Sequence, residues 1–386
     1  MSPMSRRSVI QLGLGGAALA AAGFTLWLLK SSEQISTAER RAMQAVAEAF
    51  MARFHVPGLS VAIAREDSLA YHEAFGLANR EPQQAILPSS LFRIASVSKP
   101  ITAVAIFKLI EQGKITLSDT VFGNGGILGN DYGTQPYKPF VREVSVDHLL
   151  THTAGGWSND SRDPMFQFPQ FSQAELISWT LDNQPLQNIP GEHFAYSNFG
   201  YCVLGRIIEK VTQISYEQFV RQEVLRPCGI EDMRISGNTQ AERASGEVAY
   251  FGQNGEDPYS MNVRRMDSHG GWLASASDLV RFATHIVGSN GQPGLLRSGS
   301  VRTMGTPGAA SPASDEVKYA HGWNVRDNGR GNWWHTGSLP GTSSILVRTA
   351  GGFCWAALAN TRSAGIDLAL DQMVWEMTRQ VKGWKP

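Results

Sequence analysis

Ser96 and Lys99 stand three residues apart in Phe92-Arg93-Ile94-Ala95-Ser96-Val97-Ser98-Lys99-Pro100, where a helix is predicted to begin. Residues at that spacing share a helix face with Cβ atoms about 5–6 Å apart, so the lysine amine reaches the serine hydroxyl. A hydroxyl becomes a competent nucleophile only beside a base, and a lysine serves as one when burial disfavours its charged form. The chemistry on offer is acyl transfer, with Ser96 attacking a carbonyl and Lys99 taking its proton. A helix N-terminus adds free backbone N–H groups and the positive end of the dipole, both suited to an oxyanion. Pro100 is tolerated near a helix start, and the apolar run from Ile101 to Ile110 supplies the buried body. The plainer alternative is a solvated helix start with Ser96 as its N-cap. No other lysine has a serine three residues before it. Two polar clusters downstream, Tyr196-Ser197-Asn198 and His335-Thr336-Gly337, give the pair company.

Positioning these clusters takes a large core. The chain has 386 residues, of which 42% are hydrophobic and 18% charged. One core stops growing at about 250–300 residues, so a catalytic unit of two lobes is expected. Net charge is zero, which disfavours nucleic acid or an acidic membrane surface as partner.

The first 31 residues are set apart as an export segment. Ser5-Arg6-Arg7-Ser8-Val9-Ile10 resembles a twin-arginine signal, and Leu12 to Leu29 runs without a charge. That stretch is at the short end of the roughly 17–25 residues a spanning helix needs. Ala20-Ala21-Ala22 offers small residues for cleavage, yet the apolar run continues to Leu29. Cleaved export to the periplasm and retention as an inner-membrane anchor through residues 12–29 both stay open, and the oligomeric state is not set by sequence.

Residues 32–386 read as one domain of α+β class. Helical spacing runs from Thr37 to Phe50, capped by Ser36 or Thr37, and Gly58–Ala64 and Leu69–Phe75 then form a hairpin about Arg65-Glu66-Asp67. A Gly-rich loop spans 123–139. Helical periods follow at Val146–Leu150, Gln173–Asn183, Gly200–Val211, Tyr216–Leu225 and Ser277–Val287. From Tyr319 the pattern turns to strands, at Trp333-Trp334, Thr342–Arg348 and Phe353–Ala359, before a closing helix over Asp367–Val381. The expected division is a sheet lobe of about 36–120 and 290–386 around a mainly helical lobe of about 121–289.

With its three clusters in order, the chain resembles the serine β-lactamase and penicillin-binding-protein superfamily. The nearest branch groups class C β-lactamases with DD-peptidases, D-aminopeptidases and esterases. The resemblance covers roughly residues 40–380 and includes Leu149-Leu150-Thr151-His152-Thr153-Ala154-Gly155 and Pro190-Gly191 ahead of Tyr196. It implies a β-lactamase/transpeptidase-like fold, an antiparallel sheet flanked by helices beside the helical lobe, with the active site in the cleft between. It implies no metal and no cofactor.

By that resemblance Tyr196 shuttles the proton between Ser96, Lys99 and the leaving group. A phenol of pKa about 10 is a poor base, so a neighbouring cation is expected to lower it. Asn198, with donor and acceptor, would orient Lys99 and a substrate amide. His335, Thr336 and Gly337 would line the substrate strand, and the backbone N–H groups of Ser96 and Ser338 would form the oxyanion hole. His335 departs from the class C β-lactamases, which carry lysine there. A mostly neutral histidine draws in a substrate carboxylate less well, which turns the expectation from efficient β-lactam hydrolysis.

Other chemistry is poorly supported. His148 and His152 have metal-pair spacing, but no His-Glu-x-x-His signature exists, and relatives carry a similar Thr-His-Thr segment for structure. There is no Gly-x-Ser-x-Gly elbow. His269-Gly270-Gly271-Trp272 is placed along the cleft through its glycines, with no role for His269. Cys202, Cys228 and Cys354 are odd in number and widely spaced, which reads as free buried thiols. The expected function is an exported, metal-free acyl-serine hydrolase of DD-carboxypeptidase or D-aminopeptidase type acting on a small peptide-like substrate. Esterase or weak β-lactamase action is the alternative within the family. A silent binder of cell-wall peptide or β-lactams is the rival from another class. Substrate choice rests with loops around 122–140, 155–172 and 303–318.

Overall fold

The computed structural model describes residues 35–289, 292–311, 317–326 and 331–384, so the export segment lies outside the described residues. Among the described residues, no helix is long and apolar enough to cross a membrane. Eight strands form one sheet, ordered Gln84–Ala85, Ser68–Asn79, Gly58–Arg65, Phe353–Ala359, Thr342–Arg348, Trp333–Leu339, Asn324–Arg326, Val317–Tyr319. The pairings are antiparallel, so hairpins rather than crossovers connect most neighbours. The early and late strands meet in the middle of the sheet, where Gly58–Arg65 pairs with Phe353–Ala359 from Leu59↔Ala359 to Arg65↔Phe353.

Strand periodicity assigns the two faces. Leu59, Val61, Ile63, Trp355 and Ala357 point to one side, where the helices Thr37–Phe54 and Ile366–Arg379 cover them. Ala62, Ala64, Ala356 and Leu358 point to the other, and join the core shared with the helical lobe. The Ala276–His285 helix packs on that second face, against the strands Gly58–Arg65 and Phe353–Ala359. It falls inside the span assigned by sequence to the helical lobe, yet the small side chains opposite it let it lie against the sheet.

Local chemistry explains the ends of these elements. Ser36 and Glu39 form a reciprocal capping box at the first helix. Glu66 and Asp67, both at positive φ (50° and 61°), make the tight turn of the first hairpin. The helical pattern expected over Tyr216–Leu225 is α only to Val220. Arg221–Leu225 is a π turn and Arg226–Cys228 a 3₁₀ turn, because Pro227 has no N–H to continue the ladder. Two strands of two and three residues, Arg234–Ile235 and Trp272–Ala274, pair in a small sheet with Phe92–Arg93 and were not expected. They are too short to show a period.

Fully buried Leu370 joins the closing helix to the sheet. Leu370→Ala is expected to destabilise the protein by about 3 kcal/mol through lost burial and a residual cavity. Urea denaturation followed by circular dichroism checks this, and a loss below about 1 kcal/mol would show that the terminal helix contributes little to the sheet lobe.

Candidate active site

Ser96 sits in a one-turn 3₁₀ segment, Ala95–Val97, that leads into the Ser98–Glu111 helix. It is not the N-cap, because Val97 occupies that position and no side chain caps the end. Ala95, at φ 47°, turns the chain through the left-handed region to present Ser96. Of residues 91–100, Ser96 alone is not buried. Its neighbours are fixed from below. The Arg93 guanidinium, 1% exposed, donates to Ser236 Oγ at 3.0 Å and to the carbonyls of Pro258 at 2.8 Å and Gly237 at 2.9 Å.

Lys99 is fully buried, and its Nζ lies 3.0 Å from Ser96 Oγ, 2.7 Å from Asn198 Oδ1 and 3.0 Å from the His269 carbonyl. Burial lowers its pKa to about 7, with Asp163 acting in the opposite direction. A neutral amine has two N–H donors and one lone pair. The amide oxygen and the carbonyl are acceptors only, so they take the two N–H groups and leave the lone pair for Ser96 Oγ–H. This is the geometry of a base poised on its nucleophile.

Tyr196 stands beside the amine, with Lys99 Nζ 4.8 Å from its ring centre. The lowering of its pKa expected from a neighbouring cation is not found. Burial raises it above the ordinary phenol range, outweighing its interaction with Ser96. Burial likewise lowers Lys99 to about 7, so the amine beside the phenol is no permanent cation. Asn198 begins the Asn198–Thr212 helix, capped by Ser197 Oγ, which accepts from Gly200 N at 3.0 Å.

The Trp333–Leu339 strand forms the facing wall. A Cβ on Gly337 would lie 2.2 Å from Ile94 O and 3.0 Å from Ser96 N, so only glycine lets the strand come this close to the serine turn. Ser344 Oγ ties the next strand to the same turn, donating to Ile94 O at 2.7 Å. His335 is buried, and its Nδ1 lies 2.6 Å from the Thr336 carbonyl, which can only accept. Nδ1 therefore carries the proton, and Nε2 accepts from Tyr319 Oη at 3.1 Å. Burial, then the nearby Lys99, push His335 down to about 3, so its ring is neutral.

A cavity of about 410 Å³ opens over Ser96. Asn198, His269, Gly270 and Ser338 line it, whereas His335, Thr336 and Gly337 do not. Ser96 and Ser338, the two proposed oxyanion donors, thus face one space. Asn159 and Phe166 on the wall belong to the 155–172 loop expected to set substrate choice, whereas sequence reading missed Met261, Met266 and Arg362. It also missed Asp163, fully buried, whose Oδ2 accepts from Asn198 Nδ2 at 2.8 Å. Asp163-Pro164 carries only a turn signal in sequence.

His148 and His152 form no metal pair. The helix ends at Leu150, His152 lies at φ 60°, and the two Nδ1 atoms accept from Ser145 N and Ser197 N respectively. Among the described residues, no group of three or more His, Cys, Asp or Glu is arranged to hold a metal. Cys202, Cys228 and Cys354 are free and buried, and burial raises each thiol to about 12.

Gly337→Ala should displace the strand from the serine turn and reduce turnover about 100-fold, the scale of a 1 Å misplacement. Assay of the variant on any substrate the intact protein cleaves checks it. Full activity with an unchanged melting temperature would show that the close approach is dispensable.

Comparison with known proteins agrees with this architecture. Penicillin-binding protein 4* of Bacillus subtilis is 26% identical over 316 residues, 75% of this chain and 64% of that protein. Protein flp of Staphylococcus aureus (strain MRSA252) is 25% identical over 317 residues, 80% of this chain and 60% of that protein. The chain thus spans less than two thirds of the length of these curated relatives. In fold it is similar to the D-amino acid amidase from Ochrobactrum anthropi SV3 complexed with D-phenylalanine, with TM-score 0.71, 20% identity, and coverage of 89% and 99% of the two chains. The octameric penicillin-binding protein homologue from Pyrococcus abyssi gives TM-score 0.70 at 24% identity, covering 88% and 78%. The family described as Beta-lactamase matches residues 43–373, and the chain belongs to this family of serine hydrolases.

Proposed function

We propose that this protein is an exported serine hydrolase that works through an acyl-serine intermediate. Its substrate is taken to be a small peptide or amide of the kind cut by DD-carboxypeptidases and D-aminopeptidases. The observation that carries this reading is the threefold environment of Lys99, which leaves the amine's lone pair for Ser96. Lys99 takes the Ser96 proton as Oγ bonds to the substrate carbonyl carbon, and the carbonyl oxygen becomes the oxyanion held by the N–H groups of Ser96 and Ser338. Tyr196, a neutral phenol, gives its proton to the leaving nitrogen and is reprotonated by the Lys99 ammonium. Water then attacks the acyl-enzyme by the same path in reverse and frees Ser96.

Neutral His335 supports a peptidase reading over a dedicated β-lactamase, since no permanent cation is supplied from that position to draw in a carboxylate. The likeness to penicillin-binding protein 4* and to a D-amino acid amidase supports an amide bond next to a D-residue. The twin-arginine-like segment Ser5–Ile10 supports action outside the cytoplasm.

Incubating the protein with penicillin, D-amino-acid amides and peptides, and short esters, then weighing it intact, tests the reading. A mass increase located on Ser96 and lost in Ser96→Ala is expected, with turnover of a D-residue amide or peptide. Full turnover by Ser96→Ala would sink the acyl-serine reading. Absence of any adduct or turnover would favour the silent binder.

The pH profile follows from Lys99. Protonation of the amine below its pKa of about 7 removes the base, so kcat/KM should fall about tenfold per unit below that pH. His335, titrating near 3, adds nothing in this window. The raised phenol of Tyr196 predicts no loss on the alkaline side up to about pH 10. A profile flat between pH 5 and about 9 would exclude Lys99 as the base.

A further inference from the structure

Asp163 lies one hydrogen-bonded group beyond the lysine. Its Oδ1 accepts from Met165 N at 2.9 Å and its Oδ2 from Asn198 Nδ2 at 2.8 Å, while the other end of that amide accepts from Lys99 Nζ at 2.7 Å. The oxygen and nitrogen ends of an asparagine side chain are alike in shape, so neighbours decide which way it points. An ionised carboxylate can only accept. It therefore holds the NH₂ end of Asn198 and turns the oxygen to Lys99.

We propose that Asp163 is a positioning residue for the acyl-serine chemistry: through Asn198 it aims the Lys99 lone pair at Ser96, and its charge tunes the ionisation of that lysine. This inference rests on the acyl-serine reading given above. The groups facing the lysine support it. Tyr196 and Tyr201 present ring faces to Nζ at 4.8 and 5.7 Å, and both phenols are raised by burial and stay neutral. His152, His269 and His335 surround it as well, each pushed down chiefly by burial and each neutral. Among the described residues, the charge that acts on Lys99 is that of Asp163.

Asp163 is itself raised to about 6, by burial, against the opposing effects of Asn198, Met165 N and Lys99; Asp160 adds a further upward push. Its place is held by an independent device. The Arg265 guanidinium donates to the carbonyls of Phe168, Phe171, Met165 and Gln167 at 2.6 to 3.0 Å, so the loop after Asp163 is tied down beside the cavity. Below about pH 6 the protonated acid donates as well as accepts, so it no longer dictates which end of the amide it holds, and Asn198 is free to turn a donor towards Lys99.

A bland role is available, because Asp163 also caps the 3₁₀ turn Pro164–Phe166. Asparagine caps as well as aspartate and has the same shape, so Asp163→Asn keeps the cap and deletes the charge. The test follows the ¹³Cε resonances of lysine-labelled protein through pH, with the Lys99 signal identified by its loss in Lys99→Met. In Asp163→Asn the Lys99 midpoint should fall by about one pH unit, since the anion that favours the ammonium is gone. The acid limb of Ser96 labelling by a fluorophosphonate should shift down equally, and kcat should fall with KM little changed. Should Asp163→Asn not fold, Asp163→Ser retains a capping oxygen and serves the same comparison. A Lys99 midpoint that stays put or rises in a folded variant overturns the proposal. The titration needs no reaction at Ser96, so a wild-type serine unreactive at every pH would strike the acyl-serine reading alone.

Discussion

The burial of one lysine amine is the constraint on which the rest of this cleft depends. Taking an ammonium out of water is unfavourable, and the effective penalty in a protein is several kcal/mol. The site meets this by weakening the charge: burial brings Lys99 to about 7, and the amine is met by partners from three different elements, two acceptors for its N–H groups and the Ser96 hydroxyl for its lone pair. The serine turn, the Asn198–Thr212 helix and the short helix ending at Gly270 must therefore converge on one atom. An error in any of them would leave a buried donor unpaired, at about 1–3 kcal/mol. Catalytic readiness and local stability are in this sense the same requirement.

Convergence also explains why the serine turn is built so stiffly. Ala95 in the left-handed region is costly for a residue with a Cβ, and such a conformation persists only where its surroundings over-determine it. Here the surroundings are a backbone approach that glycine alone permits at 337, a hydroxyl from Ser344 on the Ile94 carbonyl, and one from Thr342 on the Arg93 carbonyl at 2.8 Å. All three come from the two strands that form the facing wall. The sheet thus acts as the mould for the turn, and the turn presents the nucleophile.

Much of this was legible before any coordinates. Ser96-x-x-Lys99, Tyr196-Ser197-Asn198 and His335-Thr336-Gly337 are contiguous clusters, and the long helices and strands around them carry strong periods. The hidden parts are those that leave no side-chain signature. The second acceptor on Lys99 is a backbone carbonyl, which any residue at 269 would supply. Asp163 looks like a turn residue because in part it is one, and the side chain it holds lies 35 residues away. The direction for Tyr196 was misjudged because the expectation set a permanent cation beside the phenol, whereas the burial common to both groups lowers the lysine to about 7 and raises the phenol. The packing of the Ala276–His285 helix on the sheet was not legible, since an amphipathic pattern specifies one apolar face and not what covers it.

Charge in the cleft then bears on what it can select. Around Ser96 the Lys99 amine titrates near neutral pH, the histidine of the facing strand is neutral, and the anion Asp163 is sealed behind Asn198. The permanent cation on the cavity wall is Arg362, which is already engaged by Glu256. A cleft of this kind exerts little long-range pull on an anionic substrate, because the field of a paired guanidinium is largely cancelled at a distance. Selectivity then falls to contact: to the apolar side chains of Phe166, Met261 and Met266 and the polar groups of Asn159, Asn198 and Ser338 that line the cavity. Such a wall rewards the shape of the group beside the scissile carbonyl more than its charge, and a methylene's difference there is worth only about 1–3 kcal/mol. The chemistry of the site is thus fixed by the buried lysine, while its substrate is left to the loops that carry this wall.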